Sequence, residues 1–208
     1  EKDMIDILSH ELRTPLSIAR NAVMLIQSSK KKRKLTQDKL DKYVLKAVTH
    51  LQKEINLLER MLSSTKIENN ELVIATREVN LKEVIDEITT HYKKEAQNKK
   101  LDLNLKVGSK VMVLADPRHL REVLDNLIGN AVKYTKEGSI TIKAKKLTKV
   151  VKLEIADTGV GIADEHIPHL GKKFYRANTY VNETDKQDEL NIVRPGGTGL
   201  GLYVTYGL

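Results

Sequence analysis

The stretch Ser9-His10-Glu11-Leu12-Arg13-Thr14-Pro15-Leu16 lies near the start of the chain, in a segment with helical periodicity. Between residues 3 and 28 apolar residues recur at steps of three and four: Ile5, Leu8, Leu12, Leu16, Ala19, Val23 and Ile26. This pattern predicts an amphipathic helix. Pro15 lacks an N–H and crowds the preceding turn, so we expect a kink there. His10 is two residues from both Leu8 and Leu12, and at about 100° per residue its side chain should face solvent.

Residues 38–69 predict a second, longer helix. Its apolar stripe consists of Val44, Ala47, Leu51, Ile55, Leu58 and Leu62. The short basic segment 30–34 predicts a turn between the two helices, and long helices joined in this way form an antiparallel hairpin. Because a single hairpin cannot cover both stripes, we expect two copies to pair as a homodimer with a four-helix bundle.

Composition narrows the class of protein. The chain has 208 residues, of which 40% are hydrophobic and 31% are charged, as expected for a soluble protein with a core. It contains no cysteine, which excludes disulfides, zinc–thiolate sites and cysteine catalysis. The net charge of +8 is concentrated in segment 30–34, but this run is short and has no interleaved aromatic residues. We therefore interpret it as a solvated turn and expect no direct nucleic-acid partner.

Residues 70–208 mix helices and strands and predict an α+β domain with antiparallel strand pairings. Strands are predicted at 72–75, 101–107 and 111–115, and a hairpin at 139–146 and 150–156. One helix is expected from an Asn80 cap to about residue 97, with Glu83 completing a capping box. Another follows Asp116-Pro117, in the preferred order of cap then proline. Residues 158–196 lack periodicity and predict a loop or lid, and a last helix is expected from about Thr198.

The pair His10-Glu11 could perform nucleophilic chemistry. An exposed imidazole can attack an electrophile while the neighbouring carboxylate takes the proton from its other nitrogen. A bare His-Glu pair is more often an ordinary polar helix face. The proline one turn later favours the functional interpretation, because a proline inside a helix costs roughly 3 kcal/mol and so needs a reason.

Asn126 and Asn130 are four residues apart in the helix after Pro117 and share a face, with Lys133 and Tyr134 one turn on. Asparagine oxygens are suitable ligands for a Mg²⁺ ion held with phosphates. Lys133 could pair with phosphate charge and Tyr134 could pack on a base. A surface or capping role is the commoner one for asparagine, but two on one face of an apolar helix weaken that alternative.

Two glycine-containing segments could approach a ligand closely. Asp157-Thr158-Gly159-Val160-Gly161-Ile162 follows a strand, and its Asp157 could accept a hydrogen bond from an exocyclic amine. Taken alone, it is an ordinary turn at the end of a strand. Gly197-Thr198-Gly199-Leu200-Gly201 precedes the last helix and could expose backbone N–H groups to an anion. It lacks the Lys-Ser/Thr pair of a P-loop, so by itself it is weak evidence.

Taken in order, these segments resemble the catalytic core of sensor histidine kinases of bacterial two-component systems. Residues 9–16 resemble the phosphoacceptor box of that family, and residues 124–135 resemble its N box. Residues 157–162 resemble the first glycine box, Lys173-Phe174-Tyr175-Arg176 the F box, and residues 197–202 the second glycine box. The resemblance covers essentially the whole chain.

The resemblance implies a dimerisation and histidine-phosphotransfer domain over residues 1–69 and an ATP-binding α/β sandwich over residues 70–208. It implies that His10 accepts the γ-phosphoryl group of ATP, that Glu11 is the general base and that Thr14 supports dephosphorylation of a partner. It also implies nucleotide contacts by Asn126, Asn130, Lys133, Tyr134, Asp157, Gly159, Gly161, Arg176, Gly197, Thr198, Gly199, Leu200 and Gly201. Asn130 is the expected Mg²⁺ ligand, and residues 163–196 are the expected lid.

The implied partner is the receiver domain of a response regulator, and the implied location is the cytoplasm. No apolar run reaches the ~18 residues of a membrane helix, so membrane attachment would come from an upstream segment outside this sequence. The family continues beyond the equivalent of Leu208, so we expect this piece of the ATP-binding domain to be incomplete at its C-terminal end. Two other classes stay open: a non-catalytic dimeric scaffold, and an ATPase with a conformational role related to gyrase and chaperone ATPases. The intact boxes argue against a scaffold with a degenerate ATP domain, and the acceptor box at residues 9–16 argues against the conformational ATPase.

Overall fold

A computed structural model describes residues 2–31, 35–177 and 198–208 of the chain. For residues 2–8, 10 and 11 it describes the backbone and not the side chains. Gly197 and most of the expected lid therefore lie outside the described residues.

The N-terminal part is the expected helical hairpin. Helix α1 spans Lys2–Lys31 and contains Pro15, and helix α2 spans Gln37–Glu68. Among the described side chains of the hairpin, three of the buried ones are alanines: Ala19 and Ala22 on α1 and Ala47 on α2. Small side chains let two helix backbones approach closely, so these positions hold the hairpin together.

Most of the apolar stripe predicted on α2 is not covered within one chain. Ala47 is buried, but the other five members are 44–62% exposed: Val44, Leu51, Ile55, Leu58 and Leu62. On α1, Leu16 and Val23 are exposed to a similar degree. A contiguous apolar face of this kind marks an interaction surface. No helix in the described ranges is long and apolar enough to cross a lipid bilayer.

The C-terminal part is an α/β domain with two small sheets. Its strands are β1 (Arg77–Asn80), β2 (Leu101–Lys106), β3 (Met112–Ala115), β4 (Gly138–Lys146) and β5 (Val151–Asp157). Its helices are α3 (Leu81–Asn98), α4 (Pro117–Tyr134), a 3₁₀ helix (Asp164–His169) and α5 (Gly201–Gly207). Strands β1 and β3 pair antiparallel, and β2, β4 and β5 form a second sheet in that order. In that sheet β4 pairs parallel with β2 and antiparallel with β5.

Two details differ from the sequence analysis. The strand predicted at 72–75 is wrong: this segment is irregular, and the strand lies at Arg77–Asn80. The backbone N–H of Ala75 donates to Oδ2 of Asp116 (3.0 Å) instead of to a strand. The predicted pairings were antiparallel, whereas β2 and β4 are parallel because α4 crosses over between them.

Helices α3 and α4 pack with both sheets around one aliphatic core. Its fully buried members are Leu81, Ile85, Leu124, Ile128, Val132, Ile140 and Ile142. The expected caps are present: Oδ1 of Asn80 accepts from the N–H of Lys82 (3.1 Å), and Oδ1 of Asp116 accepts from that of Arg118 (2.9 Å). Nδ2 of Asn80 donates to Oε1 of Glu83 (2.9 Å), so the predicted capping box is completed by a hydrogen bond between the two side chains.

Replacing Asp116 with alanine should destabilise the C-terminal α/β domain, because the carboxylate caps α4 and holds Ala75. Loss of a helix cap predicts a thermal midpoint lower by roughly 2–4 °C in a chain of this size. The Ala75 N–H is the main cause that lowers the pKa of Asp116, with burial opposing it. Because folding lowers the pKa of this carboxyl, Asp116 stabilises the fold at pH values above its ordinary pKa of about 4. This stabilisation is lost as the pH falls through the pKa of the folded state.

Thermal melts of wild-type protein and Asp116→Ala between about pH 3 and 7 measure this effect. The difference in midpoint should be largest at neutral pH and shrink in acid. Asp116→Asn is the partial control, because its one amide oxygen can keep the cap on Arg118 while the charge and the Ala75 hydrogen bond are lost. A difference that stayed constant down to the acid end would contradict the assignment.

Candidate active site

Helix α4 carries the predicted N-box residues on one face. Asn126 is 7% exposed, and its Nδ2 donates to Oγ1 of Thr205 on α5 (2.7 Å). Asn130 is half-buried one turn later. Asn126 is thus tied to the last helix, whereas Asn130 is closer to solvent. Sequence reasoning missed Thr205, because it lies 79 residues from Asn126 in no motif.

Both glycine segments lie against α4, at different positions along the helix axis. A Cβ on Gly159 would be 2.7 Å from the carbonyl oxygen of Tyr134, and the N–H of Val160 donates to that oxygen (3.4 Å). A Cβ on Gly201 would overlap the side chain of Asn126. Eight residues of helix separate these contacts, which is about 12 Å at 1.5 Å per residue. The glycine segments therefore flank the part of α4 that carries Asn130 and Lys133.

Asp157 ends β5 beside the first glycine segment. Its Oδ1 accepts from the N–H of Gly159 (2.9 Å), and its side chain is exposed. Gly161 has a φ of +72°, a conformation that glycine adopts without strain. The turn thus fixes the orientation of the carboxylate while leaving it accessible to a ligand.

The C-terminal end of α4 positions Lys133 and Tyr134. Nζ of Lys133 lies 4.7 Å from the centre of the Tyr134 ring, within the range of a cation–π contact. Nζ of Lys99 donates to the carbonyls of Val132 (2.7 Å) and Lys133 (3.2 Å), so a cation occupies the negative end of the helix. Sequence reasoning missed Lys99, because its partners are more than 30 residues away.

Helix α3 packs against the N-box part of α4. The hydroxyl of Tyr92 donates to Oδ1 of Asp125 (3.1 Å), and burial together with this carboxylate raises the pKa of Tyr92. A Cβ on Gly129 would lie 2.6 Å from the same hydroxyl. The glycine between Asn126 and Asn130 is therefore a packing requirement that lets α3 approach α4.

The F box is joined to the second glycine segment. The N–H of Phe174 donates to the carbonyl of Gly199 (3.1 Å). Phe174 has a φ of +63°, a left-handed conformation that is rare for a bulky residue. A Cβ on Gly199, which has a φ of +70°, would lie 2.5–2.8 Å from the Phe174 backbone. Two left-handed residues thus pack directly on each other.

The second glycine segment buries its side chains. Leu200 is fully buried, Thr198 is 7% exposed, and Oγ1 of Thr198 accepts from the N–H of Leu200 (3.3 Å). These residues would therefore face a ligand with their backbone. Helix α5 begins at Gly201 and not near Thr198 as predicted, because the left-handed Gly199 cannot belong to the helix.

The F box also contacts the 3₁₀ helix. Nδ1 of His166 lies 2.7 Å from the hydroxyl of Tyr175, and the ring of His169 is 5.2 Å from the Tyr175 ring. Arg176, a predicted nucleotide contact, follows directly and is half-buried. With no third metal ligand nearby in the sequence, these histidines are interpreted there as lid surface, and their contacts with Tyr175 were missed.

The predicted phosphoacceptor residues lie on α1. His10 and Glu11 belong to the helix, and their side chains are outside the described part of the structure. Thr14, one turn later, is exposed. The predicted nucleotide residue Gly197 is also outside the described residues.

Two family models match this chain. Residues 1–70 match the His Kinase A (phospho-acceptor) domain, and residues 115–208 match the histidine kinase-, DNA gyrase B- and HSP90-like ATPase. The chain belongs to the histidine kinase catalytic cores. Among its relatives is the signal transduction histidine-protein kinase BarA of Escherichia coli K12, which is 32% identical over 207 residues. That match covers 95% of this histidine kinase core and 21% of BarA, so the chain spans about a fifth of the relative's length.

Solved structures show the same fold. Full-length ShkA in complex with AMPPNP has a TM-score of 0.63 at 24% identity, covering 99% of this chain and 40% of that one. Histidine kinase ThkA in complex with the response regulator protein TrrA has a TM-score of 0.56 at 24% identity, covering 84% and 50%. The helical hairpin followed by a mixed-sheet domain is thus confirmed as a histidine kinase architecture.

Proposed function

We propose that this protein transfers the γ-phosphoryl group of ATP to His10 and passes it to an aspartate of a response regulator. The observation that carries the proposal is that one chain joins an acceptor-type helical hairpin to an ATPase-type domain. In that domain both glycine segments pack on the α4 face that carries Asn130. BarA is named as a histidine-protein kinase, ShkA was solved with AMPPNP and ThkA with a response regulator, and these likenesses direct the choice of substrates.

In the reaction a ring nitrogen of His10 attacks the γ-phosphorus and the bond to the β,γ-bridging oxygen breaks, so that ADP leaves. Glu11 takes the proton from the other ring nitrogen, which also sets the tautomer that attacks. Such phosphoryl transfer depends mainly on positioning and on neutralising the phosphate charge. The protein's contribution is therefore to hold the imidazole and the triphosphate in line.

On the nucleotide side, the accessible carboxylate of Asp157 accepts from the adenine amino group, with Gly159 and Gly161 shaping its turn. Tyr134 packs near the base, and Lys133 and Arg176 meet the phosphates. The backbone of residues 197–201 cradles the triphosphate, which suits a segment whose described side chains are buried. Buried Asn126 acts by holding Thr205 and the start of α5 in place.

Asn130 fits a Mg²⁺ ion bound together with the phosphates. Its amide oxygen is the hard, neutral ligand that Mg²⁺ accepts, and it is half-buried between the two glycine segments. Among the described residues there is no group of three His, Cys, Asp or Glu side chains that could hold a metal alone. The ion would neutralise phosphate charge when bound, and Asn130 would orient it.

The active form is a homodimer. The exposed apolar stripe of α2 and the exposed Leu16 and Val23 of α1 supply the surface for a second copy, as in a four-helix bundle.

Exposed Thr14, one turn from His10, supports removal of the phosphoryl group from the partner's receiver domain. The domain boundary lies at residues 69 and 70, just after α2 ends, and the core works in the cytoplasm, alone or as part of a membrane-anchored sensor.

Incubation of the chain with γ-labelled ATP and Mg²⁺ tests the function. The kinase should acquire label that is lost in acid and retained in alkali, as expected of phosphohistidine, and should pass it to a receiver domain. ATP hydrolysis without labelled protein would favour a conformational ATPase. Failure to bind nucleotide would favour a scaffold.

Replacing Asp157 with asparagine should change the preferred base. The asparagine oxygen can keep the Gly159 hydrogen bond, which turns an NH₂ donor towards the adenine amino group. Losing a hydrogen bond to a charged group, about 1.5–3 kcal/mol, predicts roughly ten- to a hundredfold weaker ATP binding, while GTP binding should improve. Dissociation constants from calorimetry measure both.

Asp164→Asn is the control for this prediction, because Asp164 begins the 3₁₀ helix seven residues later. It should leave the preference for ATP over GTP as in wild type. An Asp157→Asn protein with wild-type ATP affinity and discrimination would refute the assigned role.

A further inference from the structure

The last turn of α2 contacts the segments that lie on both sides of the second glycine segment. Nζ of Lys173, in the F box, lies 2.8 and 2.9 Å from the two carboxylate oxygens of Glu68. A Cβ on Gly207, at the end of α5, would lie 2.7 Å from the side chain of Ile67. The hairpin domain therefore contacts the ATP-binding domain next to its glycine segment.

A third contact extends the same interface. Oγ of Ser63, one turn before Ile67 on α2, donates to Oε2 of Glu122 on α4 (3.4 Å). Positions 63 and 67 are four residues apart and share a face of the helix. One face of the α2 end thus meets α4 and α5 together, and Glu68 meets the F box beside them.

The Glu68–Lys173 pair leads directly to the glycine segment. Lys173 precedes Phe174, and its Nζ also lies 5.3 Å from the centre of the Phe174 ring. The left-handed Phe174 donates its N–H to the carbonyl of Gly199. A residue in this conformation persists only where its surroundings determine it. A link therefore runs from Glu68 through Lys173 and Phe174 to Gly199.

We infer that Glu68 is a positioning residue for the nucleotide site, although it belongs to the phosphoacceptor hairpin. By holding Lys173, it keeps the Phe174 turn and its hydrogen bond to Gly199 in place. A movement of the α2 end would therefore change the glycine segment, which couples the conformation of the hairpin to nucleotide binding. The nucleotide part of this inference rests on the proposed function; the structural link does not.

Amide hydrogen exchange at Phe174, measured by NMR on the whole chain without nucleotide, tests the link. Its N–H is protected by the bond to Gly199, so local opening controls its exchange. Glu68→Lys and Lys173→Glu should each speed exchange by about fivefold, the upper range for a partly exposed ion pair. The double variant Glu68→Lys/Lys173→Glu rebuilds the pair with reversed charges and should restore protection.

Glu71→Lys is the matched control, because this carboxylate lies three residues later and meets Asn69 (3.5 Å). It should leave exchange at Phe174 unchanged. Circular dichroism verifies that each variant is folded. Unchanged exchange in the two single variants, or no recovery in the double variant, would overturn the inference.

Calorimetry with AMPPNP then separates the inference from the proposed function. Wild-type binding with about fivefold weaker binding by Glu68→Lys, recovered in the double variant, supports both. Wild type that binds no nucleotide refutes the function, while the exchange result still decides the link. Equal affinities for wild type and Glu68→Lys would show that the link does not reach the nucleotide, which overturns the coupling.

Discussion

His10→Ala is expected to abolish incorporation of phosphate from γ-labelled ATP, with label falling below detection. The substitution removes the proposed nucleophile, whose ring nitrogen would form the N–P bond. ATP binding should be unchanged, because the proposed nucleotide residues lie on the other domain, on α4, β5 and the glycine segments. Acid-labile label measured beside nucleotide affinity checks both halves of this result.

His91→Ala is the control for this experiment. His91 is exposed on α3, away from the acceptor helix, and its loss should leave labelling at the wild-type level. Label that persists in His10→Ala would contradict the assignment of the acceptor. Loss of nucleotide binding in that variant would show that the substitution acts on the fold.

Gly199→Ala should produce the largest loss of nucleotide binding. Alanine at φ +70° costs about 1–2 kcal/mol, and its Cβ would lie 2.5–2.8 Å from the Phe174 backbone. Relieving that overlap breaks the Phe174–Gly199 hydrogen bond, which contributes about 0.5–1.5 kcal/mol. Together these costs of about 1.5–3.5 kcal/mol predict roughly 10- to 400-fold weaker ATP binding.

Two other glycines separate the causes of this effect. Gly161 also has a left-handed φ, of +72°, but nothing lies within 4 Å of the position of its Cβ, so Gly161→Ala should pay the conformational cost alone. Gly108 has neither constraint, and Gly108→Ala should bind ATP as wild type does. Calorimetry on the three variants should give a clear order. Equal affinity for Gly199→Ala and Gly108→Ala would contradict the role of the packed pair.

Local patterns were sufficient to predict most of the secondary structure. The caps at Asn80 and Asp116, the long hairpin helices and the β4–β5 hairpin follow from contacts between residues close in sequence. The strand predicted at 72–75 was wrong because Val73 and Ile74, although suited to a strand, have no pairing partner there. They are 80% and 52% exposed, and the segment is held by Asp116, 41 residues from Ala75.

The sequence by itself determined the order of the motifs, and through them the family, the candidate acceptor and the residues expected around a nucleotide. These depend on residue type and spacing, which a linear chain displays directly. Only the tertiary structure decided that Asn126 is tied to Thr205, that Lys99 caps α4, and that Phe174 packs on Gly199. It also joined Glu68 to Lys173 across 105 residues. Such contacts depend on how distant segments pack in space, and no local propensity encodes that distance.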